Sequence, residues 1–155
     1  MNIGIYEDVI TNVDSYVEDI HNYGFEDVQL EEGLFKNIQV RPEDDLVEIL
    51  KGYYPIHKAV LNFVRRSPKN QVEPNWIHTD DMMGDLTAIL YLSKNHPEED
   101  GTTLYYKGFK SCILRSRYNR LIVFPSHLYH SRNIFDNFGF ADEARLIQVC
   151  FLKEI

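Results

Sequence analysis

Trp76-Ile77-His78-Thr79-Asp80, with the strand-like run that follows it, Thr87-Ala88-Ile89-Leu90-Tyr91-Leu92-Ser93, decides how this chain is read. On extended backbone, residues i and i+2 point to the same side, so the His78 imidazole and the Asp80 carboxylate can grip one cation together. A second imidazole arriving from a distant strand would complete a two-histidine, one-carboxylate face with open positions left over, a donor set suited to ferrous iron. His130, opening the run His130 to Phe135, is the candidate. His127 competes with it from the turn after Pro125, but strand geometry aims His130 and leaves His127 in the turn. Asp81 points away from Asp80 on extended backbone and is a poor substitute ligand.

Outward from this stretch, the second half of the chain reads as short strands. Leu86 to Ser93, Thr102 to Tyr106, Ser111 to Arg117, Leu121 to Phe124, His130 to Phe135 and Leu146 to Leu152 are brief runs rich in branched and aromatic residues. Asp100-Gly101, Lys107-Gly108, Tyr118-Asn119 and Pro125-Ser126 punctuate them as turns, and that spacing predicts a sandwich or barrel. The first half predicts an opening strand over residues 2–10, then a helix capped by Thr11 or Asn12. That helix buries Val13, Tyr16, Val17 and Ile20 and stops at Gly24. Leu34 to Val40 predicts a strand with Leu34, Lys36, Ile38 and Val40 on one side and Phe35, Asn37 and Gln39 on the other. After Arg41-Pro42, an apolar stripe from Leu46 to Val64 predicts helix, broken or kinked at Gly52 and Pro55. His57 falls in that stripe as a packed, hydrogen-bonded core histidine. His21 sits in the last turn of the first helix, where it suits the helix dipole, and His96, before Pro97, reads as an exposed loop residue.

A chain of 155 residues is long enough to bury a core without staples, and no linker divides it. The expectation is one domain over 1–155: mainly β with N-terminal helices, 1–60 as helical and strand support and 61–155 as the β core. Hydrophobic residues at 44% against 26% charged exclude a disordered chain. The formal charge of −8 disfavours nucleic acid as a bulk partner. Arg65-Arg66 and the set Lys107, Lys110, Arg115, Arg117 and Arg120 read as solvated strand edges and loop charges. Cys112 and Cys150 lie in apolar runs and read as buried free thiols. With no basic leader and no membrane-length apolar run, the expected place is the cytoplasm, away from membranes.

His-x-Asp alone is a weak signal. Its context carries more: the strand after Asp80, the glycine turn leading to Thr103-Leu104-Tyr105, the run Arg120-Leu121-Ile122-Val123-Phe124-Pro125-Ser126, His130, and Arg145 opening a final apolar strand. That order resembles the Fe(II)/2-oxoglutarate-dependent dioxygenases, particularly their prolyl-hydroxylase-like branch, over about residues 60–153. The resemblance implies a double-stranded β-helix, a cupin-like jelly roll, with Fe(II), 2-oxoglutarate and O2 as cofactor and co-substrates. It implies His78, Asp80 and His130 as iron ligands, Arg145 as the grip on the far carboxylate of 2-oxoglutarate, and Tyr91 as a contact to that carboxylate. The planar fork of an arginine suits the task because it meets a carboxylate with two parallel hydrogen bonds. An Arg145 paired with Glu143, and a Tyr91 that is plain core, are the corresponding structural readings. The chain departs from the family pattern in two places. Asn62 to Ser67 does not clearly supply the polar residue many members place beside the co-substrate. Ile147 and Val149 stand where relatives often carry a hydroxyl.

The implied activity is hydroxylation of a C–H bond on a second substrate, with release of succinate and CO2. A peptide or protein side chain is favoured, and small molecules remain open. Asp81 to Asp85, Asn95 to Gly101 and Asn133 to Asp142 are the loops expected to select the substrate. Two other readings stay open at this point: a cupin-like metal-binding module without turnover, and a metal-free β-sandwich interaction protein.

Overall fold

The computed structural model describes residues 2–73, 75–134 and 136–155, with Ser111 described by its backbone alone. In chain order the elements are β1 Gly4–Tyr6, α1 Val13–Tyr23, β2 Glu26–Leu30, β3 Gly33–Val40, α2 Asp45–Tyr53, β4 His57–Ser67, β5 Leu86–Tyr91 and β6 Thr102–Tyr106. Then follow β7 Phe109–Leu114, β8 Arg120–Pro125, β9 Tyr129–Arg132, a 3-10 turn Ala141–Glu143, and β10 Arg145–Glu154. The strands form two antiparallel sheets, β1-β8-β5-β10-β4-β3-β2 and β7-β6-β9. No described helix is long and apolar enough to cross a membrane.

β10 shows how one strand serves two layers. It lies between β4 and β5, and its first eight residues are buried. Such burial on both faces explains why it reads as a continuous apolar run and not as an alternation. Leu146, Cys150 and Leu152 pack outward with Leu90, Leu92, Leu121 and Val123 against Tyr16 and Ile20 of α1 and Leu46, Val47 and Leu50 of α2. Ile147, Val149 and Phe151 point the other way. There they join Tyr91, Ile122 and Phe124 of the large sheet and Leu104 and Leu114 of the small one. The second cluster is the filling between the sheets, and the functional side chains sit in its layer.

α1 packs by the helical spacing of Val13, Tyr16, Val17 and Ile20 and ends where the Gly24 N–H returns to the Ile20 carbonyl at φ +93°, a conformation glycine adopts without strain. Asn12 occupies the cap position but makes no side-chain cap bond. The cap of α2 is Asp44, which accepts from the Val47 N–H. The same carboxylate receives Tyr16, Arg41, Asn62 and the fully buried Gln148, tying both helices to β4 and β10.

Several expectations are corrected. The stripe from Leu46 to Val64 is helix only as far as Tyr53. Pro55 disfavours helix in the residue before it, and the branched run beyond becomes β4, whose Leu61 and Val64 face opposite clusters. His57 therefore opens a strand, half-buried, its Nδ1 without a hydrogen-bond partner. The alternation of β3 breaks at Asn37. Its φ of 55° and the register shift against β2 leave both Ile38 and Gln39 buried. The opening strand shrinks to Gly4–Tyr6, and β2 forms where no element was expected. Arg65 and Arg66 lie on an interior strand, stacked over Phe35 and Phe25, and are not solvated edge charges. Cys150 is a buried free thiol, but Cys112 is only half-buried. Phe135, the last residue of the run expected from His130, lies outside the described residues.

Candidate metal centre

β9 presents His130 to the interior, and the chain before β5 crosses it once. His78 and His130 exchange both backbone bonds, His78 N–H to the His130 carbonyl at 3.0 Å and the reverse at 2.8 Å. This isolated pairing extends the small sheet by one residue and fixes two imidazoles side by side, ring centroids 4.3 Å apart. Asp80 is anchored two residues on, its N–H bonded to the Ser126 carbonyl at 2.9 Å. His130 Nε2 lies 3.0 Å from Asp80 Oδ2 and His78 Nε2 lies 3.6 Å from Oδ1. One ligand atom from each of the three lies within 4.8 Å of the other two. Three donors at about 2.0–2.2 Å from one ion must themselves lie within roughly 4.4 Å of one another, so modest adjustment of the set can hold a single cation.

The chemistry of the donors fits a metal more closely than the distances do. His78 Nδ1 is 2.9 Å from the Trp76 carbonyl and His130 Nδ1 is 3.1 Å from the Leu128 carbonyl. A carbonyl only accepts, so each Nδ1 carries a proton, and a neutral ring so placed turns a bare Nε2 lone pair toward the carboxylate. Two lone pairs and an anion facing one another require a cation between them or a proton on a ring. Thr87, the second residue of β5, donates to Asp80 at 3.4 Å and bonds Ser126 at 2.9 Å, and the Phe124 ring packs edge-on to His130. His130 is buried, whereas the His78 side chain is 41% exposed, so the site opens on the His78 flank beside the exposed Trp76 and Ile77. His127 is exposed, and Asp81 is exposed and takes the Thr79 hydroxyl at 3.1 Å; neither belongs to the set.

Arg145 opens β10 facing the same interior as Ile147, and it is 6% exposed. It does not pair with Glu143. Its Nε is buried with no hydrogen-bond partner, and its one ion-pair partner among the described residues is Asp100 Oδ2, at 3.3 Å. Burial, and then the nearby Arg132, lower its pKa to about 10. Arg132, which sequence reasoning did not single out, is its opposite. It donates to both oxygens of Asp100 at 2.8 and 2.6 Å, to Asn137 at 2.7 Å and to the Asp136 carbonyl at 3.2 Å. Glu73 lies 3.9 Å from Arg132 and 4.0 Å from Arg65. Three guanidiniums thus meet two carboxylates, leaving one positive charge in a largely buried cluster, and Arg145 brings to it a buried Nε with no hydrogen-bond partner, free to meet an anion.

Tyr91 faces this cluster. Its hydroxyl bonds Thr102 at 2.8 Å, and burial raises its pKa to about 12, so it stays protonated and able to donate at neutral pH. His96 corrects an expectation: its side chain is 1% exposed, packed against Tyr91 and Phe138, with Nε2 3.2 Å from Asp100. Within the segment Asn95 to Gly101, His96 and Asp100 turn inward. Burial would raise the Asp100 pKa, but hydrogen bonds from His96 and Arg132 and the Arg145 charge hold it far below the usual carboxylate range.

No family model matches the chain, and no curated protein matches it. Solved structures do. A 2OG-Fe(II) oxygenase family oxidoreductase from Burkholderia pseudomallei superposes with a TM-score of 0.68 at 11% identity, covering 97% of this chain and 85% of its own. The viral collagen prolyl hydroxylase of Paramecium Bursaria Chlorella virus-1 gives 0.60 at 11%, covering 100% and 90%. A Pseudomonas putida prolyl-4-hydroxylase gives 0.60 at 14%, covering 99% and 92%. The chain shares the fold of these oxygenases and prolyl hydroxylases, a β-sandwich of the jelly-roll type, along nearly its whole length.

Proposed function

We propose that this protein is an Fe(II)- and 2-oxoglutarate-dependent dioxygenase of the prolyl-hydroxylase-like branch, built as a single double-stranded β-helix domain of cupin-like form. The observation that carries this is the meeting of two imidazoles, each with Nδ1 held by a backbone carbonyl, and one carboxylate toward which both Nε2 atoms turn. His78, Asp80 and His130 hold the iron. When bound, ferrous iron together with 2-oxoglutarate supplies the reductive activation of O2 that releases succinate and CO2 and hydroxylates a C–H bond of the second substrate.

The rest falls to the chain's own residues. Arg145, whose buried Nε has no hydrogen-bond partner among the described residues, takes the distal carboxylate of 2-oxoglutarate, and the protonated Tyr91 hydroxyl donates to the same group. Phe124, Leu104, Ile147 and Val149 wall the interior with apolar surface and exclude water. The second substrate approaches on the His78 flank, where Trp76 and Ile77 stand exposed at the lip. The viral neighbour's description as a collagen prolyl hydroxylase favours a peptide or protein side chain as that substrate. Succinate formation from 2-oxoglutarate under air, dependent on added Fe(II) and absent in Asp80→Ala, is the expected result. No succinate from the metal-loaded protein would leave a binding module without turnover.

A further inference from the structure

Arg132 and Arg145 share one carboxylate and use it differently. Arg132 holds Asp100 by a two-bond fork. Arg145 only approaches it, Nε 3.3 Å from Oδ2 with no hydrogen bond formed. His96 Nε2 meets the same oxygen at 3.2 Å. Asp100 is fully buried and comes from the segment between β5 and β6, so no strand register forces it there. None of its contacts is to His78, Asp80 or His130. A carboxylate of the protein itself therefore already stands against the guanidinium that awaits a carboxylate of the ligand. Two like charges beside one cation repel, and burial leaves that repulsion poorly screened.

We propose that Asp100 is a resident competitor at the Arg145 anchor: pinned by Arg132, it weakens and so sets the affinity for a dicarboxylate 2-oxo acid. The proposal rests on the functional reading above for the role of Arg145. A purely structural Asp100 would behave in the opposite way, since removing it would loosen both arginines and weaken every ligand.

The test is calorimetric titration of Mn(II)-loaded protein with 2-oxoglutarate and with 2-oxopentanoate, which has the same carbon chain and no distal carboxylate. Asp100→Asn should bind 2-oxoglutarate about tenfold more tightly than wild type and 2-oxopentanoate unchanged. Asp100→Ser, which leaves room for water beside Arg132, should show the same selective tightening and carries the test if the asparagine variant does not fold. Unchanged or weaker 2-oxoglutarate binding in a folded variant, or failure of both variants to fold, overturns the competitor role. A wild type that does not prefer 2-oxoglutarate over 2-oxopentanoate would sink the Arg145 anchor itself. A preference abolished by Arg145→Met yet untouched by Asp100→Asn would keep the anchor and reject the competitor.

Discussion

Two places in the interior set a histidine against an aspartate at nearly the same distance, His130 Nε2 to Asp80 at 3.0 Å and His96 Nε2 to Asp100 at 3.2 Å. They differ at the far nitrogen. His130 Nδ1 faces a carbonyl and must hold a proton, so in a neutral ring the contact with Asp80 is lone pair against anion. His96 Nδ1 is buried without a partner, so the proton sits on Nε2 and the contact with Asp100 is an ordinary hydrogen bond. One pair calls for a cation or a second ring proton; the other is satisfied, with Arg132 and Arg145 supplying the charge balance. Separation alone cannot tell a metal site from a buried hydrogen bond, but the tautomer imposed by the next shell can.

The largest effect expected from this contrast is on stability. Arg132→Met strips the forked partner from fully buried Asp100 and should cost about 3–5 kcal/mol in chemical denaturation. Arg145→Met leaves Asp100 its forked partner and should cost less, by about 2 kcal/mol or more. Next comes metal affinity. Changes to groups that merely orient a ligand cost about 10–100-fold, so His130→Ala should lower Mn(II) affinity by more than about a hundredfold in equilibrium dialysis. His96→Ala should leave that affinity unchanged; a comparable loss there would erase the distinction between the two pairs. Arg145→Met should weaken 2-oxoglutarate binding by about 10–100-fold with Mn(II) affinity unaltered, one charge-assisted bond contributing about 1.5–3 kcal/mol.

The smallest effect is a pH dependence. Burial first, then the arginines, keep the His96 pKa below its ordinary 6.5 despite the pull of Asp100. The unfolded chain therefore binds the extra proton first, and unfolding free energy should decline as pH falls through 6.5 toward the lowered folded value. Asp100, held low in the folded state, adds a further decline below its ordinary pKa of 3.8. His96→Gln should flatten the upper limb and leave the lower one, in denaturation curves taken between pH 7 and 3.

The convergence of His78, Asp80 and His130 was legible in the sequence from a two-residue spacing before one strand and a histidine within the short strand after the Pro125 turn. So were the strands from Leu86 to Tyr91 and Thr102 to Tyr106, whose apolar runs stand between clear turns. What escaped depended on partners distant in sequence. The apolar residues of β4 fit a helical stripe as well as a strand, and only pairing with β3 and β10 decides between them. Ile38 and Gln39 were expected on opposite faces, and a single left-handed residue, Asn37, leaves both buried. His96 and Asp100 lie in a polar, proline-containing loop that looks solvated. Their burial depends on Arg132, thirty-two residues further on, which the sequence offered as one more strand arginine.

The central claim is that two imidazoles, one carboxylate and Arg145 hold a ferrous ion and 2-oxoglutarate together. Visible absorption of the anaerobic protein with Fe(II) and 2-oxoglutarate tests it most directly. A weak charge-transfer band should appear in wild type, vanish in His78→Ala, and require about 10–100 times more 2-oxoglutarate in Arg145→Met. No band in wild type, or a band that persists unchanged in His78→Ala, would contradict it.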